Sequence, residues 1–270
     1  MNHCLYVTDT GIQWLCGVDY PDMTNGKSAN RKSMKKLSLF HTSVTHQGIQ
    51  VALTNLLSLN ILENVHILEA LVELAQSAIA IKRPGFYNDM FSVSTLYAFP
   101  NAPHYKSNSL QLAIPLCQSM NHVSIHVAKG LKDSDLLSLL SVKMLRKLKI
   151  FKSRISSDCE ITFDGGVIPL LKVFGSSLET LALEGLNFIR ISSVIELCPN
   201  LNVLYISDVT GSLNNERDLF FRVGKNMKPP VFKELKILIC VGEIPVEILI
   251  FLLSCPLLEY VGISTLESCR

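Results

Sequence analysis

Cys198-Pro199-Asn200-Leu201-Asn202-Val203-Leu204-Tyr205-Ile206 and Cys255-Pro256-Leu257-Leu258-Glu259-Tyr260-Val261-Gly262-Ile263 share one pattern: cysteine, proline, then apolar residues at the third, sixth and eighth places after the cysteine. Cys117-Gln118-Ser119-Met120 repeats the spacing without the proline. A thiol is a small, nearly apolar group suited to the tight junction where a helix ends and a strand begins. A proline directly after it stops the helix. The apolar-x-x-apolar-x-apolar run that follows reads as a short strand with two inward residues.

Working outward, such runs begin at Met34, Leu56, Val93, Met120, Leu145, Leu178, Leu201, Phe232 and Leu258, at intervals of 22 to 37 residues. The spacing alone is near chance, since three fixed aliphatic places match about once in 27 positions. What falls between the runs is therefore decisive. Apolar residues at helical spacing occur in Leu136 to Leu140 and in Val246 to Leu253, with further helices expected over Ile67 to Ile81, Val167 to Phe174 and Ile191 to Cys198. Asp133 or Ser134 is placed to cap the helix that follows, and Asp164-Gly165-Gly166 reads as a helix-start turn. Val7-Thr8-Asp9-Thr10-Gly11-Ile12-Gln13 recurs as Val44-Thr45-His46-Gln47-Gly48-Ile49-Gln50, the same turn in two repeats.

Strand and helix thus alternate once per repeat, and the cysteine-ended repeats resemble those of the F-box/LRR proteins. The residues that carry the resemblance are Leu178-Glu179-Thr180-Leu181-Ala182-Leu183 and the two Cys-Pro segments quoted above. It implies an α/β leucine-rich-repeat solenoid, a curved horseshoe with parallel strands on the inner face and helices on the outer one. Residues 1–33 are expected to hold an incomplete repeat and a basic loop, and residues 34–270 about eight to nine irregular repeats. Neither end offers an obvious polar cap, which suggests a piece of something longer. Pro84 to His104 and Ser212 to Pro230 read as loop inserts.

Composition narrows the function. The chain has 270 residues, 48% of them hydrophobic, a mean hydropathy of +0.31 and a net charge of +2 from 25 basic and 23 acidic residues. That supports a large core and gives no field to attract nucleic acid or anionic lipid. No apolar stretch reaches membrane-span length, and no signal peptide begins the chain. Eight scattered cysteines without a signal peptide or glycosylation sequon read as free thiols of a cytoplasmic or nuclear protein.

The sequence contains no nucleophile elbow, phosphate-binding loop, dinucleotide fingerprint or His-Glu-x-x-His motif, so no catalytic residue, cofactor or metal ligand is assigned. His122 and His126 stand four apart on an expected strand, where they span roughly 13 Å, too far for one ion. They read as solvent-facing. The basic run Lys27, Arg31, Lys32, Lys35 and Lys36 reads as a solvated loop.

Alternation along each strand leaves the residues flanking the inward pair on the concave face. These are Thr95, Tyr97 and Phe99; His122, Ser124 and His126; Lys147, Lys149 and Phe151; Thr180, Ala182 and Glu184; Val203, Tyr205 and Ser207; Glu234, Lys236 and Leu238; and Tyr260, Gly262 and Ser264. Tyr97, Phe99, His122, His126, Lys147, Lys149, Phe151 and Tyr205 form the candidate partner-binding patch, mixing aromatic and basic groups suited to an acidic or aromatic-anchored protein. Leu148, Ile150, Leu181, Leu183, Leu204, Ile206, Val261 and Ile263 are the expected core.

The leading expectation is a non-catalytic protein-binding scaffold. The resemblance implies a substrate receptor partnered with cullin-type ubiquitin-ligase subunits through an F-box not visible here. A stand-alone regulatory or structural scaffold and an α/β enzyme with unrecognised motifs are the alternatives.

Overall fold

The computed structural model describes residues 6–18, 33–80, 95–98, 108–117, 119–127, 131–152, 160–186, 188–207, 231–242, 244 and 246–264. They belong to two compact units, Met1–Ser124 with Ser141–Met144, and Ile125–Leu140 with Leu145–Arg270.

In the first unit, α1 (Asp9–Cys16), β1 (Lys36–Ser38), α2 (His46–Asn55), β2 (Ile61–Glu63), α3 (Ile67–Ala80), β3 (Thr95–Ala98) and α4 (Ser109–Ala113) alternate along the chain. Consecutive helices pack side by side, α1 on α2, α2 on α3 and α3 on α4. β1 and β2 pair in parallel, Leu37 opposite Leu62. The duplicated sequence holds equivalent places: Thr8 and Thr45 are the N-caps of α1 and α2, and Thr45 Oγ1 accepts from the Gln47 amide at 3.2 Å. β4 (His122–Val127) follows, and the boundary between the units falls within it.

The second unit continues with α5 (Asp133–Leu137), β5 (Lys147–Lys152), a π turn at Phe163–Val167 leading into α6 (Ile168–Phe174), β6 (Thr180–Glu184), α7 (Ile191–Leu197), β7 (Val203–Ser207), β8 (Ile237–Val241), α8 (Val246–Leu253) and β9 (Tyr260–Ser264). Five of its strands, β5 to β9, pair in parallel in chain order. The fold is α/β with a parallel sheet.

Two registers of inward side chains run across that sheet. Leu148, Leu181, Leu204 and Leu238 are mutual partners in one, and Ile150, Leu183, Ile206 and Cys240 in the other; none is more than 1% exposed. Burying each such side chain contributes roughly 1.5 to 3 kcal/mol, and this is where the core lies.

Five of the turns into a strand are built alike. One carbonyl of the preceding repeat accepts two successive amides of the next: Lys35 from Asn60 and Ile61, Arg146 from Glu179 and Thr180, Glu179 from Asn202 and Val203, Asn202 from Lys236 and Ile237, Lys236 from Glu259 and Tyr260. The cysteine junctions also recur. The carbonyls of Cys117, Cys198 and Cys255 accept from the amides of Met120, Leu201 and Leu258, and all three thiols are buried.

Several expectations need correction. The strand after α2 spans Ile61–Glu63, so its run begins at Leu59 and not at Leu56, which caps the helix. The register of β8 places Leu238 opposite Leu204, so that run begins at Leu235 and not at Phe232. At Phe232 and Leu235 two apolar runs overlap three residues apart, whereas the run from Leu59 has the buried Asn64 in its third place, which an all-apolar pattern passes over. Asp133 is the first residue of α5 and Lys132 its N-cap; the Lys132 amide donates to the Asp135 carboxylate at 2.9 Å. Pro84 to His104 is not loop throughout, since Thr95–Ala98 is strand; Ser212 to Pro230 lies outside the described residues.

Val261 and Ile263 keep the inward register, opposite Leu238 and Cys240, yet they are 38% and 52% exposed. Among the described residues no further strand or helix covers β9, so alternation alone did not bury them.

Candidate binding face of the parallel sheet

Residues of the opposite parity on β5 to β9 form the second face of the sheet, where most side chains keep partial access to solvent. In register across it stand Lys147, Thr180, Val203, Ile237 and Tyr260; then Lys149, Ala182, Tyr205, Ile239 and Gly262; then Phe151, Glu184, Ser207, Val241 and Ser264. Lys147 and Tyr260 are exposed, most of the others are half-buried, and Ala182 and Ser207 are buried.

Three of the expected patch residues come together. The His126 ring stacks on Phe151 with centroids 4.8 Å apart and planes at 28°, and Phe151 meets Tyr205 edge-on at 6.3 Å and 66°. Phe151 and Tyr205 sit on strands two apart, a separation of roughly 9.6 Å between backbones. Their rings therefore lean toward each other over β6, which its small Ala182 permits. The Tyr205 hydroxyl lies 3.3 Å from Glu184 Oε2 and donates to it, fixing the ring. Burial holds the His126 imidazole below its ordinary pKa, so this ring is neutral at pH 7 and contributes shape and π-surface, not charge.

Lys147 is exposed and Lys149 half-buried beside this cluster on β5. The remaining expected residues fare differently. His122 and His126 are half-buried rather than fully solvent-facing, and Ser124 between them is buried. Tyr97 has its backbone in β3, and Phe99 lies outside the described residues.

The revised register of β8 changes the chemistry of the face. Leu238, expected on it, is fully buried, and Ile237, Ile239 and Val241 take the places assigned to Glu234, Lys236 and Leu238. Lys236 instead lies 3.7 Å from Glu259 in the turn before the strand. The face thus passes from basic and aromatic groups on β5 to aliphatic ones on β8. The cue was present in Leu235-Lys236-Ile237-Leu238-Ile239-Cys240, whose cysteine completes the inward pair.

A second feature was legible as Thr-x-x-Gly but not read as one: Thr8-Gly11, Thr45-Gly48 and Thr162-Gly165. In the second and third, an aspartate from the preceding repeat accepts from both threonine groups. Asp9 takes the Thr45 amide at 2.8 Å and its hydroxyl at 2.6 Å; Asp133 takes those of Thr162 at 2.8 and 2.7 Å. A Cβ on Gly48 or Gly165 would run into the same carboxylate.

Three buried thiols are chemically quiet. Burial pushes Cys117, Cys198 and Cys240 each up to about 12, so none is a nucleophile near neutral pH. Among the described residues one set of side chains is close enough to hold a metal ion, His46, Glu69 and Glu73 on α2 and α3. No helix of the described residues is long and apolar enough to cross a membrane. The sequence matches no protein-family model and no curated protein.

Proposed function

We propose that the chain is a leucine-rich-repeat solenoid that binds another protein through the second face of its parallel sheet, without catalysing a reaction. The observation that carries this reading is the surface itself: the interlocked His126, Phe151 and Tyr205 rings beside Lys147 and Lys149, continued by Ile237 and Ile239. Aromatic and aliphatic groups rimmed by cations are what protein interfaces concentrate at their centres. Repeats that stack by one recurring backbone turn and one recurring cysteine junction support the solenoid reading.

The partner that suits this face carries acidic side chains for the lysines and an apolar or aromatic anchor for the aliphatic rows. Following the F-box/LRR resemblance, that partner is a protein presented for ubiquitination, with cullin-type ligase subunits joining through an F-box. A stand-alone cytoplasmic or nuclear scaffold is the other form of the same reading.

The test is quantitative affinity capture with the wild-type chain and the triple variant Lys147→Glu, Lys149→Glu, Phe151→Ala. Proteins retained by the wild type and lost by an equally stable triple variant support the face, and undiminished capture overturns it. Recovery of cullin-type subunits with a form carrying an F-box supports the ligase role, and their absence favours the scaffold.

A further inference from the structure

We propose that His46, Glu69 and Glu73 bind a first-row divalent transition metal, with Zn2+ the first candidate, and so clip the start of α2 to α3. His46 opens α2 directly after its N-cap Thr45, whose amide and hydroxyl are held by Asp9. Glu69 and Glu73 are four apart on α3 and share one face of that helix. Their Oε1 atoms converge on the imidazole: Glu69 Oε1 lies 3.6 Å from Nδ1 and Glu73 Oε1 3.3 Å from Nε2.

The other oxygen of each carboxylate is already engaged. His66 Nδ1 lies 3.2 Å from Glu69 Oε2, and Gln50 Nε2 donates to Glu73 Oε2 at 2.6 Å. These contacts hold each carboxylate with its Oε1 toward the imidazole, Glu69 on the Nδ1 side and Glu73 on the Nε2 side, the way outer partners orient metal ligands. The Glu69 side chain is only 11% exposed, so one of the two negative charges is largely withdrawn from water. A divalent cation compensates two carboxylates more completely than one imidazolium does.

The distances fit. The three donor atoms lie within 4.8 Å of one another. A tetrahedral site with metal–ligand bonds of roughly 2.1 Å holds its ligands about 3.4 Å apart. An ion takes one imidazole nitrogen, so binding requires the ring and carboxylates to adjust until that nitrogen and both oxygens face it, leaving a fourth position for water. One imidazole nitrogen and two carboxylate oxygens suit Zn2+ and its first-row neighbours, not a thiophilic ion.

The experiment is titration of the full chain with ZnCl2 by calorimetry, with CoCl2 as the optical probe. One equivalent should bind, the Co2+ complex should show tetrahedral visible bands without the near-ultraviolet thiolate charge-transfer band, and Zn2+ should raise the Tm in a concentration-dependent way. Glu73→Gln should abolish stoichiometric binding, and Glu69→Gln likewise. His66→Ala should lower affinity about 10- to 100-fold, as loss of a ligand-orienting partner does. Absence of binding, a thiolate band, or equal binding by the folded Glu73→Gln protein overturns the site and leaves the three side chains as a polar contact between α2 and α3. Glu73 is the more exposed ligand, so its variant keeps the test decisive should Glu69→Gln fail to fold.

Discussion

Asp133 receives both the backbone amide and the hydroxyl of Thr162, so the first residue of one repeat's helix holds the cap of the next. Asp9 holds Thr45 in the same way, which makes the contact a property of the repeat and not of one site. The glycine three residues after each threonine leaves space for the carboxylate.

Asp133→Ala should cost about 1 to 2 kcal/mol, the loss of two charge-assisted hydrogen bonds at a helix start. Gly165→Ala should destabilise comparably, because its methyl would displace the same carboxylate. The double variant should fall well short of the sum of the two, since both remove one interaction. Gly11→Ala serves as the control: nothing lies within 4 Å of its Cβ position, and it sits inside α1. It should therefore stabilise by about 0.4 to 1 kcal/mol. Denaturant unfolding of the four proteins checks the signs, and equal losses for Gly11 and Gly165 would contradict the clasp.

The start of β7 was legible because cysteine, proline and paired aliphatic residues all serve one junction at Cys198 and Leu201. The same logic misplaced two strands. At Phe232/Leu235 two apolar runs overlap at a spacing of three and only the pairing partner decides between them, while at Leu59 the third place holds the buried Asn64 in place of an apolar residue. The His126, Phe151 and Tyr205 cluster was visible as residues on one face, but its closure depends on the small Ala182 between strands two apart. The metal-binding geometry was hidden because His46 and Glu69 lie on different helices and meet only in the fold. Burial of Val261 and Ile263 failed for a related reason: alternation fixes which side a residue faces, while burial needs something to cover that side.

Leu181→Asp should remove several kcal/mol and melt the second unit, because Leu181 is fully buried between Leu148 and Leu204. Val261→Asp occupies the same register yet should cost less than about 1 kcal/mol, since its side chain is already in contact with water. Circular dichroism melts of both variants separate register from coverage.

The buried thiols predict an alkaline limit. Cys117, Cys198 and Cys240 are raised from 9.0 to about 12, so the folded state holds their protons more tightly than the unfolded chain. Their contribution is complete below pH 9.0, and it is lost as the pH rises through about 12. Chemical-denaturation midpoints should fall over that window, with a shallower fall in Cys198→Ala. At pH 8 in buffer, iodoacetamide should label peptides containing these three cysteines far more slowly than after unfolding. Rapid labelling of Cys198 in the native protein would show that its junction opens.

Adjacent residues of β8 give the sharpest test of the revised face. Leu238 is inward and fully buried, whereas Ile239 lies half-buried in register with Tyr205 on the other side. Leu238→Lys should place an unpaired charge in the core and abolish cooperative unfolding. Ile239→Lys should keep stability to within about 1 kcal/mol, because its ammonium reaches water along the second face. If that face binds a protein, Ile239→Lys should weaken capture of the same proteins lost by the Lys147, Lys149 and Phe151 variant, while Glu234→Ala should not. The contrast depends on a shift of three residues, an odd number, which inverts every side chain of a strand as a shift of one does. A folded Leu238→Lys protein with an unfolded Ile239→Lys counterpart would restore the original register and remove the aliphatic half of the proposed interface.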